Sequence, residues 1–315
     1  MSEQKPRTAR IDRRTFLAAS VASIASATLP GAAFADGPLR YLTKPIPSTG
    51  VQVPVIGMGT WITFNVGDDK ALRDARAEVL RAFFGGGGGL VDSSPMYGSS
   101  QEVLGYALNK IGRAKTLFAA DKIWTRDGDD TLEQLSESRA HWNIPRFDLM
   151  QVHNLLSWED HLPKLRRLRA SKKLGHIGIT TSHGRRHSEL AEIMKSHQLD
   201  VVQLTYNPID RQVEEVLLPL ARERNIAIIA NRPFRGGGLL DTLQRHPFPE
   251  WARHEADADN WPQFVLKWIV SHPAVTCAIP ATSKVTHMRE NMGACRGRLP
   301  DQKTRAKMLA YIESL

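Results

Sequence analysis

Asp148-Leu-Met-Gln-Val-His153, His176-Ile-Gly-Ile-Thr180, Val201-Val-Gln-Leu204 and Ile226-Ala-Ile-Ile-Ala230 are four short apolar runs set in one rhythm. Between them, apolar residues recur at helical spacing, over about Leu162–Ala170, Ser188–Ser196 and Val213–Arg224. Continuous apolar runs of this length suit strands buried on both faces, and helical crossovers are what parallel neighbours need.

The rhythm extends in both directions. Upstream, Val55–Gly59, Leu90–Asp92 and Thr116–Lys122 read as strands. They alternate with helical patterns at Ala75, Val79, Leu80 and Phe83, at Gln101–Lys110 and at Leu132–Trp142. Downstream, Phe264–Val270 reads as a helix, Val275–Ile279 as an eighth strand and Lys303–Ile312 as a closing helix. Eight strand–helix pairs predict an α/β chain folded as a single (β/α)8 TIM barrel over residues 36–315, a length that fits the barrel's usual ~250 residues. The rival is a doubly wound sheet, which places a glycine-rich dinucleotide turn after its first strand. Here Gly57-Met-Gly59 has no third glycine at the right offset, and the run Gly85–Gly89 precedes its strand and lacks a Lys-Ser/Thr ending.

Residues 1–35 read as an address. Five basic residues against two acidic ones give them a net +3 of the chain's +9. Arg13-Arg14-Thr-Phe-Leu17 opens a serine-interrupted, weakly apolar stretch that ends in Ala33-Phe34-Ala35. This is the layout of a cleaved export signal, and the paired arginines resemble the twin-arginine motif. The expected partner of the precursor is the twin-arginine export machinery, with cleavage after Ala35 and a periplasmic or otherwise exported product. The stretch is too short and polar for a permanent membrane span. Elsewhere the charge is dispersed. The densest basic run, Lys164–Lys173, has the spacing of a solvated helix face, which argues against nucleic acid as a partner. Two cysteines exclude a disulfide framework and a four-cysteine metal site, and scattered histidines suggest no metal. Oligomeric state is not readable.

In a barrel the carboxyl ends of the strands share one mouth. Asp92 follows strand two, Tyr97 lies in the loop beyond, Lys122 ends strand three and His153 ends strand four. Singly these read as a loop cap, a surface aromatic, a solvent-facing end and a core histidine. Together they suit proton donation to a carbonyl. A phenol titrates near ~10; a neighbouring ammonium lowers that value, and a carboxylate aims the ammonium. His153 would hydrogen-bond the substrate oxygen. The reaction needs a hydride, which no side chain supplies, so a nicotinamide is implied.

Five segments then show a resemblance to the aldo-keto reductases over residues 40–315. They are Gly57-Met-Gly-Thr-Trp61, Asp92-Ser-Ser-Pro-Met-Tyr97-Gly98, Gln101-Glu-Val-Leu-Gly105, Lys122, and Leu149-Met-Gln-Val-His153. The resemblance implies a tetrad of Asp92, Tyr97, Lys122 and His153 acting on a small-molecule carbonyl substrate. It implies that Thr181, Ser182 and Gln203 hold the nicotinamide carboxamide. In Ile279–Asn291 it implies a clamp at the adenine end, with Thr282 and Ser283 as phosphate ligands and Glu290-Asn291 as the closing pair. Many members stack a tyrosine on the nicotinamide just after strand seven, where this chain has Asn231; Arg232 or Arg235 would meet the pyrophosphate or solvent. The places of two phosphate-binding cations are taken by Ala281 and His287, so Lys284 or Arg289 would have to substitute. NADP(H) is favoured and NAD(H) remains open. Trp61, Trp124 and the long excursion Gly236–Asn260 are expected around the mouth. The alternatives are a cofactor-binding accessory barrel and an exported barrel with a vestigial tetrad.

Overall fold

The computed structural model describes Met1 and residues 41–315. The expected export signal, with Arg13, Arg14 and the cleavage after Ala35, lies outside the described residues.

A hairpin comes first, β1 (Thr43–Pro45) paired antiparallel with β2 (Gln52–Pro54). The barrel follows. Its strands are β3 (Met58–Gly59), β4 (Leu90–Asp92), β5 (Phe118–Ile123), β6 (Leu149–Val152), β7 (His176–Thr180), β8 (Val201–Thr205), β9 (Ala227–Asn231) and β10 (Val275–Ala278). Adjacent strands are parallel and pair in chain order from β3 to β10. Bridges from Ile56 to Ala278 and from Gly59 to Ala281 join the first strand to the last and close the ring. The expected barrel is borne out.

The outer helices are α1 (Lys70–Gly85), α2 (Ser100–Ile111), α3 (Thr131–Trp142), α4 (Trp158–Ala170), α5 (His187–Ser196) and α6 (Leu217–Glu223). The excursion after β9 holds two short helices, α7 (Gly238–Leu243) and α8 (Trp251–Glu255). Then come α9 (Trp261–Ser271), α10 (Val285–Gly293) and α11 (Gln302–Glu313). Capping side chains start several of them: Asp69 accepts from Leu72 N, Asn260 from Gln263 N and Asp301 from Thr304 N. Gly105 lets α2 approach α3 closely, since a Cβ there would run into the His141 carbonyl oxygen.

Strand alternation divides the apolar residues into two cores. Val91, Ala119, Met150, Val202 and Ile228 point outward and pack under the helices. Leu90, Phe118, Leu149, Val201, Ala227 and Cys277 point inward, and Ile46 and Val53 of the hairpin join them to seal the amino-terminal end. Cys277 is a small, fully buried member of this inner core. Above this apolar plug, the next inward positions are Asp92, Lys122, Gln151, Gln203 and Asn231. Alternation therefore sets a polar layer just inside the carboxyl-terminal mouth. Among the described residues no helix is long and apolar enough to cross a membrane, and no group of three or more potential metal ligands occurs.

Candidate active site

Lys122 is the centre of the polar layer. It is fully buried, and its Nζ donates to Asp92 Oδ2 at 2.5 Å and to the Ser93 carbonyl at 2.7 Å. Asp92 Oδ1 accepts from Gln151 Nε2 at 3.2 Å and from Gln203 Nε2 at 2.9 Å. Burial is the largest single influence and works against the Lys122 charge, but Asp92, Tyr97 and Asp121 together outweigh it and hold the ammonium above its ordinary value.

Tyr97 reaches the same place from a single 3₁₀ turn, Pro95–Tyr97. Ser94 starts that turn by accepting from Met96 N, and proline suits its first position. The turn ends at Gly98, which has a left-handed φ of +59° and where a Cβ would also run into the Asn65 side chain. Lys122 Nζ lies 4.9 Å from the centre of the Tyr97 ring. His153 follows β6, with its ring edge-on to Tyr97 at a centroid distance of 5.6 Å. The four residues implied as a tetrad are therefore brought together.

Their protonation differs in part from the sequence-based expectation. Burial raises the Tyr97 phenol above its ordinary value, and Lys122 opposes this without reversing it. The expected lowering by Lys122 is present as one influence, and desolvation exceeds it. His153 is held well below the ordinary imidazole value by burial, with Lys122 adding to the effect. At neutral pH the site thus contains a protonated phenol, a neutral imidazole and an ammonium.

The residues implied as cofactor ligands fall into three groups. Around the ends of β7, β8 and β9, Asn231 Nδ2 donates to the Thr181 carbonyl at 2.9 Å, and Asn231 Oδ1 accepts from Thr205 Oγ1 at 2.7 Å. Asn231, where the resemblance leads one to expect an aromatic platform, is here a brace across the mouth. Among the described residues Thr181 Oγ1 is buried without a hydrogen-bond partner, an open polar position of the kind a ligand amide would satisfy. Ser182 instead engages His183 Nδ1 at 2.6 Å.

On the rim, the Arg232 guanidinium lies 5.9 Å from the centre of the Trp61 ring, and Arg235 pairs with Asp210 at 3.2 Å. Burial, then Arg232 and Arg185, hold the His183 imidazole below its ordinary value, with Asp210 opposing them. Trp61 and Trp124 are 41% and 42% exposed, flanking the opening after β3 and β5.

The third group starts α10. Thr282 is buried and its Oγ1 accepts from Lys284 N at 3.1 Å, while Ser283 and Lys284 are exposed. Asn291 is buried and Glu290 half-buried. Arg289 lies elsewhere: with Glu78, Arg81 and Arg296 it lines a groove on the seam between α1 and α10. Of the two cations expected to substitute there, Lys284 is the one at the start of α10.

The Aldo/keto reductase family model matches residues 55–307. The chain belongs to this family. Family membership makes it an oxidoreductase acting on carbonyl groups. Its similarity to individual proteins is lower. Methylglyoxal reductase YeaE of Escherichia coli (strain K12) is 26% identical over 251 residues, covering 78% of this chain and 86% of that protein. The NADH-specific methylglyoxal reductase of the same organism is 22% identical over 318 aligned positions, covering 82% and 94%. A Klebsiella pneumoniae aldo-keto reductase in complex with NADPH aligns at a TM-score of 0.72 and 22% identity, covering 87% of this aldo/keto reductase and 96% of that chain. At that identity the likeness concerns the fold.

Several residues of the site were not singled out from sequence. Gln151 lies two positions before His153 and so on the inward face, a signal that strand alternation carries. Ser94 begins a Ser-Pro turn, the pattern of a capping residue. Gln101, which carries part of the resemblance, donates to Asp121 at 2.8 Å and to Ser138 at 2.9 Å behind β5.

Proposed function

We propose that this aldo/keto reductase reduces a small aldehyde or ketone to an alcohol at the expense of NADPH, with Tyr97 as general acid. When bound, the nicotinamide supplies the hydride. The observation that carries the reading is the buried Lys122 ammonium, clamped by Asp92 and facing a Tyr97 ring that neutral His153 touches edge-on.

Each residue has a distinct task. Tyr97 keeps its proton at neutral pH because burial disfavours the phenolate. As negative charge develops on the carbonyl oxygen, the phenol releases that proton and Lys122 stabilises the anion left behind. Asp92 keeps Lys122 charged and aimed. His153, being neutral, donates a hydrogen bond to the substrate oxygen and positions it.

The open Thr181 hydroxyl and the Gln203 side chain fit an amide at the inner end of a dinucleotide. Arg232 near the mouth, and Ser283 with Lys284 at the start of α10, fit its phosphates. The 2′-phosphate of NADP gives Lys284 an added charge to meet, which favours NADP(H) over NAD(H). Solved relatives carrying NADP and NADPH, and a Schizosaccharomyces pombe relative whose name specifies NADP(+), support the choice.

Export by the twin-arginine route, with cleavage after Ala35 and function outside the cytoplasm, is part of the proposal. Arg13-Arg14-Thr-Phe-Leu17 supports it, as does the route's acceptance of folded proteins carrying a bound cofactor.

The test is turnover. The purified protein should oxidise NADPH in the presence of methylglyoxal, the substrate in two relatives' names, or of an aromatic aldehyde, giving one alcohol per NADPH. Dinucleotide binding without alcohol formation across varied carbonyls would instead favour an accessory or vestigial barrel.

A further inference from the structure

Ser94 occupies a position that the reaction as described does not use. It is fully buried, and its hydroxyl serves two parts of the site at once. Oγ accepts from Met96 N at 3.2 Å, starting the turn that presents Tyr97, and lies 2.7 Å from His153 Nδ1.

A serine hydroxyl has one proton to give and two lone pairs to fill. Met96 N–H fills one lone pair. If Nδ1–H donated into the other, the Ser94 proton would be buried with nowhere to go, because Ser94 Oγ has no other acceptor among the described residues. Buried donors are rarely left unmet, because an unpaired one forfeits its hydration without replacement. If Ser94 donates to Nδ1, every group is satisfied. A neutral imidazole carries one N–H, so its proton then sits on Nε2, for which no protein partner occurs among the described residues.

We propose that Ser94 is a positioning residue for carbonyl reduction: donating to His153 Nδ1 while accepting from Met96 N, it sets His153 as an Nε2–H donor and ties that donor to the turn carrying Tyr97. One hydroxyl thereby couples the orientation of the proton donor to that of the residue that holds the substrate oxygen. Without it both ring tautomers become accessible, and in one of them Nε2 presents a lone pair to the carbonyl oxygen and repels it. The inference rests on the carbonyl-reductase reading only for its kinetic consequence; the tautomer is a property of the resting protein.

The experiment is a long-range ¹H–¹⁵N correlation spectrum of the ¹⁵N-histidine-labelled protein at pH 7, with His153 assigned from the His153→Gln variant. The expected result is an unprotonated Nδ1 and a protonated Nε2. In Ser94→Ala the two nitrogens should move toward intermediate shifts. kcat/KM for an aldehyde should fall roughly 5–30-fold, the equivalent of one or two kcal/mol, with NADPH affinity unchanged, and Ser94→Thr should restore much of it. A protonated Nδ1 in the wild-type protein would overturn the proposal whatever the variants do. So would an Nε2–H tautomer that persists fully in Ser94→Ala. A protein that shows the expected tautomer but reduces no carbonyl would leave the Ser94 assignment standing and count against the reductase reading.

Discussion

Replacing Lys122 by Met removes a buried ammonium and strands the carboxylate it neutralises. The pair is separated by 2.5 Å with both side chains essentially inaccessible. At an effective dielectric of about 20, unit charges at that distance attract by about 6–7 kcal/mol. Taking the two ions out of water costs several kcal/mol each, so the intact pair is close to neutral for stability. Losing one member is a different matter. Asp92 would keep its two amide donors, Gln151 and Gln203, but no cation. The expected cost is ~3–5 kcal/mol. A barrel of this size loses about 2–4 °C per kcal/mol, so Tm should fall by roughly 6–20 °C. Asp92→Asn combined with Lys122→Met removes both charges at nearly constant volume and should regain most of that loss while remaining inactive. Urea unfolding followed by circular dichroism, over wild type, both single variants and the double variant, measures the coupling. A Lys122→Met protein within ~1 kcal/mol of wild type, or strictly additive effects, would show that the two charges do not act as one buried unit.

Three further outcomes are expected. Asp121 is pushed up to about 7 by burial, with Gln101 and Lys122 opposing. The native state therefore retains a proton that an unfolded carboxylate releases near ~3.9. This contribution to stability is full below about pH 4 and is lost as pH rises through about 7. Asp121→Asn should flatten the change of Tm across that window in calorimetry, and an unchanged slope would assign it to other groups. NADPH should bind more tightly than NADH in fluorescence titrations. Lys284→Ala should narrow the difference and Arg289→Ala should not; the reverse pattern would move the phosphate site to the α1–α10 groove. Lysine at both Arg13 and Arg14 should leave uncleaved precursor in the cytoplasm, and normal maturation of that variant in fractionated cells would exclude the twin-arginine route.

The barrel could be read from sequence because both faces of each strand are buried, which leaves compact apolar runs separated by helical spacing. The tetrad could be read because barrel geometry sends the ends of β4, β5 and β6 to one mouth. The opening hairpin was less visible: β1 and β2 are three residues each, and only Ile46 and Val53 reveal that it plugs the barrel. In the excursion after β9, α7 and α8 are too short for periodicity to declare them. Charge states were the hardest to anticipate. Sequence identifies Lys122 as a neighbour of Tyr97 but not the depth at which they meet, and depth decides the direction in which the phenol moves. Arg289 shows the same limit on a helix: the resemblance groups it with the expected clamp, yet its side chain lines the seam with α1.

Single-turnover stopped-flow of the NADPH complex mixed with a reactive aromatic aldehyde follows hydride transfer before product release can mask it. Tyr97→Phe removes the phenolic hydroxyl and keeps the ring packed against His153. If Tyr97 is the acid, this variant should bind NADPH as wild type does while its transient slows by at least ~10²-fold, the lower end for positioned acid–base catalysis. A transient at close to the wild-type rate in Tyr97→Phe would contradict the assignment.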